Sequence, residues 1–325
     1  MALPKIALLT TGGTIALKAE DALNGGIPKM GAAGLLQSVP QIASIADVEG
    51  RDVFAKTSPS LTLDDLKLLV NAIQSVKGVD GIVITHGTDT LEETAFALQL
   101  MVKTEIPVVL TGAMRKADQP GADGPANLID ACRVAISPKA KSKGILVVLN
   151  NEIHAAAYVR KTHSFLPNAF QSIGPLGWIA EDRVRFFLTP AANLPQLAAG
   201  DKSPTVLSIE AGLGFTKTDL SLIKSDDVDG FIINITGVGH ISGAVVEDLQ
   251  DFAAKKPIVF TSRAGQGETF RNTYSSTGGE SDLIKRGLIP AGYLNVRQAR
   301  MALILLLSGN SSLDKIKQFF EFFSL

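Results

Sequence analysis

The sequence predicts an α/β fold with a larger N-terminal parallel-sheet domain and a smaller C-terminal α/β domain. Three observations carry this reading. β-Branched runs alternate with patterns of helical period through the first 190 residues, as parallel βαβ units with right-handed crossovers do. One run, Gly81–Thr85, passes through a glycine turn straight into a helical pattern. Residues 189–204, rich in Pro, Ala, Asn and Gly and without a sustained period, interrupt the alternation, which then resumes on a smaller scale. The expected domains are residues 1–190 and 205–325, joined by a linker at 191–204.

In chain order, strands are expected at 5–9, 53–56, Gly81–Thr85, 107–110 and 144–149, and helices at 62–77, 91–103 and 123–136. Leu91, Ala95, Leu98 and Val102 recur at helical spacing, and Thr90 with Glu93 reads as the capping box that starts their helix. Residues 156–159 and 184–188 read as a later hairpin region. The C-terminal part offers strands at 205–209, Gly230–Ile235 and 257–261, and helices at 245–254, 281–286, 296–307 and 312–322. Residues 19–34 hold four glycines and one proline with little periodicity, which reads as a functional loop or lid.

Composition narrows the function. Hydrophobic residues make up 46% and charged residues 19%, enough for a sizeable core and too apolar for disorder. The net charge of −1, with both signs dispersed, gives no reason to expect nucleic acid or an anionic membrane as partner. The single Cys132 falls in a helical pattern and reads as a buried small hydrophobe rather than a catalytic thiol. The longest apolar run, 301–307, is too short to span a bilayer, and Lys5 and the Gly12-Gly13 pair interrupt any signal-peptide core. A cytoplasmic protein is therefore expected. With no metal-ligand cluster, P-loop or G-x-G-x-x-G, no cofactor is expected.

The chemistry-bearing residues gather at two strand ends. Behind strand 81–85 comes His86-Gly87-Thr88-Asp89-Thr90, and behind strand 5–9 comes Thr10-Thr11-Gly12-Gly13-Thr14-Ile15-Ala16. Both are hydroxyl-bearing glycine turns at the carboxyl edge of an open sheet, the edge where ligands bind. Gly87 is expected to permit a tight turn. Asp89 and Thr90 also suit a plain helix cap. Together and in this order, the TGGTIA element at 11–16 and the HGTDT element at 86–90 resemble the two signatures of the bacterial-type L-asparaginase (asparaginase/glutaminase) family.

That resemblance implies hydrolysis of the side-chain amide of L-asparagine to L-aspartate and ammonia through an acyl-threonine intermediate. Thr14 matches the family's nucleophile, Thr88 its second catalytic threonine, and Asp89 the acidic neighbour that holds the substrate amino group. Lys161 matches the lysine that completes a Thr-Lys-Asp triad; without the family it reads as a surface residue. Threonine is a weak nucleophile until a neighbour takes its proton, and an amine beside it can do so. Ser58 matches the binder of the substrate α-carboxylate, though alone it reads as a turn residue before a helix cap at Thr62. Ala113 matches a residue whose backbone carbonyl receives the leaving amide, and Asp123, Asn127 and Leu128 continue that stretch. Glu280, placed by the pattern at 287–292, matches a glutamate that reaches the site from a neighbouring subunit. The resemblance thus implies a small-molecule substrate and a homo-oligomer, in the family typically a dimer of dimers. It also makes His86 a packed, hydrogen-bonded residue rather than a base.

Three positions depart from the family pattern. The lid tyrosine that helps activate the nucleophile has no counterpart, and Gly25 stands in its place. Ser58 is followed by Pro59 where the family often has Gln, and Ser242 stands near an asparagine that contacts substrate in many members. Tyr274, in the polar loop that ends at Glu280, is expected to supply the missing phenol, although on sequence alone a loop tyrosine without a role is the commoner reading. Alternatives are a glutaminase or other amide hydrolase, a non-catalytic amino-acid-binding protein that kept the pocket, and an amidotransferase subunit. The last carries an extra N-terminal domain, whereas strand 5–9 here opens the chain.

Overall fold

Strands with continuous apolar runs need cover on both faces, and this requirement shapes the first half of the molecule. The structure, a computed structural model, describes residues 2–18, 30–190, 194–224 and 226–324. These divide into two compact units, Met1–Gln196 and Leu197–Leu325. The fold is mixed α/β, with a large, mostly parallel N-terminal sheet and a smaller parallel C-terminal sheet.

In the first unit the chain runs β1 (Lys5–Gly12), α1 (Ala32–Ser38), β2 (Asp47–Lys56), α2 (Leu63–Ser75), β3 (Gly81–Thr85), α3 (Leu91–Met101), β4 (Val108–Thr111), α4 (Gly124–Ala135) and β5 (Ile145–Leu149). It continues through β6 (Glu152–Ala155), β7 (Arg160–Lys161), β8 (Phe170–Gln171), β9 (Gly177–Ala180) and β10 (Arg183–Phe186). The eight-stranded sheet has the order β10-β9-β6-β5-β4-β3-β1-β2. Strands β1 to β5 are parallel, and β6, β9 and β10 join antiparallel. Every residue of β3, β4 and β5 is buried. Ile6, Leu8, Val83, Val109 and Val148 pack against Leu128 and Ala131 of α4 to form one core face. Cys132 lies there too, and burial pushes its thiol up to about 12, so no thiolate forms near neutral pH.

Three local expectations are corrected. Residues 32–34 begin helix α1, so the glycine-rich segment is not loop throughout; residues 19–29, including Gly25, lie outside the described residues. Helix α3 has no capping box, because Thr90 gives its hydroxyl to the Ser58 carbonyl (2.9 Å) instead of its own helix. The box forms on α2, where the Thr62 hydroxyl accepts from Asp65 N and the Asp65 carboxylate accepts from Thr62 N. Residues 156–158 are a turn rather than a strand, and β10 pairs with β9.

The second unit carries β11 (Val206–Glu210), β12 (Gly230–Ile235), α5 (Val246–Ala253), β13 (Ile258–Ser262), α6 (Glu280–Lys285), β14 (Ile289–Pro290), α7 (Val296–Ser308) and α8 (Leu313–Glu321). Its four strands are parallel in sequence order, around a core of Phe231, Ile233, Leu249, Phe260 and Leu283.

Candidate active site

β1 lies between β2 and β3, so the direction of winding reverses on either side of it. In a doubly wound sheet such a reversal opens a crevice at the carboxyl ends of the two strands. Thr14 stands just beyond β1, at the start of a 3-10 turn (Thr14–Ala16), and Thr88 just beyond β3. Topology alone therefore brings the two threonine turns to one sheet edge.

Backbone contact closes the arrangement. Gly13 has φ +83°, and a Cβ there would lie 2.5 Å from Gly87 Cα. Gly87 itself is outside the left-handed region, so turn freedom is not why it is glycine. The reason is space: a Cβ on Gly87 would lie 2.7 Å from Ser58 Oγ. The Thr14 turn, the Thr88 turn and the Ser58 turn thus meet at two glycines.

Around Thr88 the side chains form a connected set. Lys161 Nζ is 3.0 Å from Thr88 Oγ1 and 2.6 Å from Asp89 Oδ1. Thr88 is 6% exposed, the Lys161 side chain 13% and that of Asp89 65%. The carboxylate therefore reaches solvent while the hydroxyl and amine sit beneath it. His86 is fully buried with Nδ1 2.7 Å from Gly87 O, which places its N–H on Nδ1. Burial lowers its pKa to about 4, so the ring is neutral near pH 7 and packs within the turn.

Ser58 is buried in a 3-10 turn (Ser58–Ser60) after β2, and its Oγ receives Thr90 N at 3.4 Å. Ala113, also buried, follows β4. Its loop is held by Asp123, whose carboxylate accepts from Met114 N and Arg115 N (2.9 Å each), and by Asn127, which donates to Gly112 O (3.0 Å).

Glu280 and Tyr274 belong to the second unit. Glu280 is 0% exposed within its own chain, and its Oε1 accepts from Thr273 N (2.7 Å) and Tyr274 N (2.6 Å). Its Oε2 is buried without a hydrogen-bond partner among the described residues. Tyr274 is 46% exposed and its ring stands edge-on to His240, with centroids 4.7 Å apart. Ser242 caps a 3-10 turn by accepting from Ala244 N.

The sequence reading missed one group. Glu92, 1% exposed in the first turn of α3, accepts the backbone N–H of Lys161 at 2.5 Å. Acidic residues in a first helical turn are ordinary, so only the tertiary structure distinguishes it. Among the described residues, no group of three or more His, Cys, Asp or Glu could hold a metal ion, and no helix is long and apolar enough to cross a membrane.

Hydroxyl, amine and carboxylate converging at the switch point of a doubly wound sheet point to a hydrolytic enzyme built on mixed α/β architecture. The chain belongs to the asparaginase family: residues 5–192 match the model of the asparaginase N-terminal domain, and residues 205–320 that of the glutaminase/asparaginase C-terminal domain. It is 35% identical to a probable periplasmic L-asparaginase of Haemophilus influenzae, over 99% of this chain and 93% of that protein. It is 34% identical to a glutaminase-asparaginase of Pseudomonas fluorescens biotype A, over 98% and 91% of the two chains. Among solved structures it resembles a probable cytoplasmic L-asparaginase of Campylobacter jejuni, with a TM-score of 0.84 and 31% identity over 98% of this chain and 99% of that one.

Proposed function

We propose that this protein hydrolyses the side-chain amide of L-asparagine to L-aspartate and ammonia. The observation that carries the reading is Lys161 Nζ, set between Thr88 Oγ1 and Asp89 Oδ1 on a turn that packs directly against the Thr14 turn. The Thr14 hydroxyl attacks the amide carbon, and its proton moves into the Thr88–Lys161–Asp89 set. The C–N bond then breaks, and ammonia leaves carrying a proton returned to its nitrogen. Water attacks the resulting ester, L-aspartate departs, and the Thr14 hydroxyl is restored.

Asp89, the exposed carboxylate of the set, pairs with the substrate α-ammonium group. Ser58 receives the α-carboxylate, and the Ala113 carbonyl receives the amide N–H. Glu280 contributes to the binding site of another subunit, in a homo-oligomer built as a dimer of dimers; its carboxylate, buried within its own chain, must turn outward to do so. Tyr274 supplies the phenol that assists Thr14. The protein acts in the cytoplasm.

Ammonia release from L-asparagine, L-glutamine and D-asparagine, measured on the wild type and on Thr14→Ala, tests the chemistry. L-Asparagine should be the best substrate, and Thr14→Ala should be inactive with an unchanged circular dichroism spectrum. No ammonia from any amide would leave a binding protein; a folded, active Thr14→Ala would remove the nucleophile. L-Glutamine is the second reading, favoured by the glutaminase-asparaginase relative. One methylene in a pocket discriminates by only about 1–3 kcal/mol, so both amides belong in the assay.

A further inference from the structure

Lys161 is not held by the sheet that holds Thr88. It lies on the two-residue strand β7, which among the described residues pairs with β8 alone in a separate two-stranded ribbon. The ribbon takes the next N–H along, from Thr162 to Ala169 O at 2.8 Å. Successive N–H groups of an extended chain face opposite sides, so that of Lys161 faces away from β8. There Glu92 Oε2 receives it at 2.5 Å.

Glu92 lies on the same turn-and-helix segment as Thr88 and Asp89. That segment therefore grips Lys161 at both ends, Thr88 and Asp89 at the amine and Glu92 at the backbone. A lysine side chain has four rotatable bonds, so fixing its amine also requires fixing its Cα. Burying a carboxylate is costly unless it is hydrogen-bonded; here the Lys161 N–H and the N-terminal turn of α3 both offset the cost.

We propose that Glu92 is a positioning residue for Lys161, docking the β7 backbone onto α3 so that the amine meets Thr88 and Asp89. This rests on the reading of Thr88, Lys161 and Asp89 as the proton path of the amide hydrolase. Glu92 acts through the lysine and does not touch substrate.

A double-mutant cycle on the full chain tests it, using Glu92→Met, Glu92→Gln and Lys161→Met. The readouts are ammonia release from L-asparagine and hydrogen–deuterium exchange of the peptide containing Lys161. Glu92→Met should lower kcat about tenfold or more while KM changes less than about threefold, and amide exchange at Lys161 should accelerate. Glu92→Gln, which keeps an acceptor oxygen, should stay within about threefold of wild type on kcat and show native exchange. In the Lys161→Met background, Glu92→Met should cost less than about twofold more.

An equal loss of kcat with and without the lysine amine would mean that Glu92 acts through the fold at large, and the proposal falls. It falls equally if exchange at Lys161 is unchanged in Glu92→Met. Wild-type turnover in Lys161→Met would overturn the proton path itself, and the proposal with it, and that single variant shows which has failed. Should Glu92→Met not fold, Glu92→Asp, one methylene shorter, takes its place under the same criteria.

Discussion

Gly13 and Gly87 touch backbone to backbone, and that contact joins the Thr14 turn to the Thr88 turn. A Cβ on Gly13 would lie 2.5 Å from Gly87 Cα, at a φ of +83° that side chains rarely adopt. Gly13→Ala should therefore push the Thr14 and Thr88 turns apart, since the opposing atoms are backbone and cannot swing away. The expected result is a loss of kcat of at least about a hundredfold, with a modest drop in Tm because the strain lies on turns outside the core. Activity and thermal unfolding of Gly13→Ala check this; an active variant would show that the turns can separate without harm.

Thr88 and Lys161 are 3.0 Å apart, and on the proposed mechanism they share one proton path, so their contributions should not be independent. Thr88→Val and Lys161→Met should each lower kcat by a similar factor, and the double variant should be little worse than either. Multiplicative losses would argue for two separate roles. Asp89→Asn should differ in kind: its effect should fall mainly on KM, through the lost pairing with the α-ammonium group.

The parallel core was readable from the sequence because β-branched runs buried on both faces leave a continuous apolar signal, as in Gly81–Thr85. The short strands β7, β8 and β14 have two residues each and leave none. Helix α1 was hidden because Gly31 and Gly34 flank and enter it. Thr90 shows how a correct local rule loses to tertiary structure: the capping pattern is present, but the hydroxyl is drawn to Ser58 O. The gathering of Thr88, Asp89 and Lys161 was legible only through the motif resemblance, because a lysine 72 residues from Asp89 carries no local signal. The hydrogen bond from Lys161 N to Glu92 was not legible, because an acidic residue in a first helical turn is ordinary.

Two buried histidines predict the acid limb of stability. Burial lowers the pKa of His86 and of His154 from 6.5 to about 4. Both rings are neutral in the native state, so as pH falls below 6.5 the unfolded chain binds their protons first. Their contribution to stability is full above pH 6.5 and is lost progressively down to about pH 4. Between pH 7 and 4.5 the loss should be about 2 kcal/mol per histidine. His154→Gln, whose ring contacts are Ser172 Oγ at 2.9 Å and Glu152 at 3.3 Å, lies apart from the threonine turns. Urea unfolding at the two pH values should show a smaller loss in this variant than in the wild type. An identical loss in both would remove His154 from the account.

Tyr274 offers the remaining test of how Thr14 is activated. The nucleophile needs a group to receive or relay its proton, and the lid tyrosine of the family is absent from this sequence. Residues 156–158 form a turn, so strand alternation does not set Tyr158 and Lys161 on opposite faces; Tyr158 packs partly buried against the core of the first unit. Tyr274 has the more exposed setting. Its backbone N–H is fixed by the buried Glu280, its ring is braced by His240, and the residue remains 46% exposed. Such a phenol is held at its root and free at its tip, which suits a group that meets a substrate site on another surface. Tyr274→Phe keeps the ring and its contact with His240 and removes only the hydroxyl. If the phenol assists Thr14, kcat/KM for L-asparagine should fall well beyond threefold, with Tm unchanged. A value within about threefold of wild type corresponds to under 1 kcal/mol of transition-state stabilisation and would exclude the phenol from the mechanism. The Thr88–Lys161–Asp89 set would then be left to take the Thr14 proton.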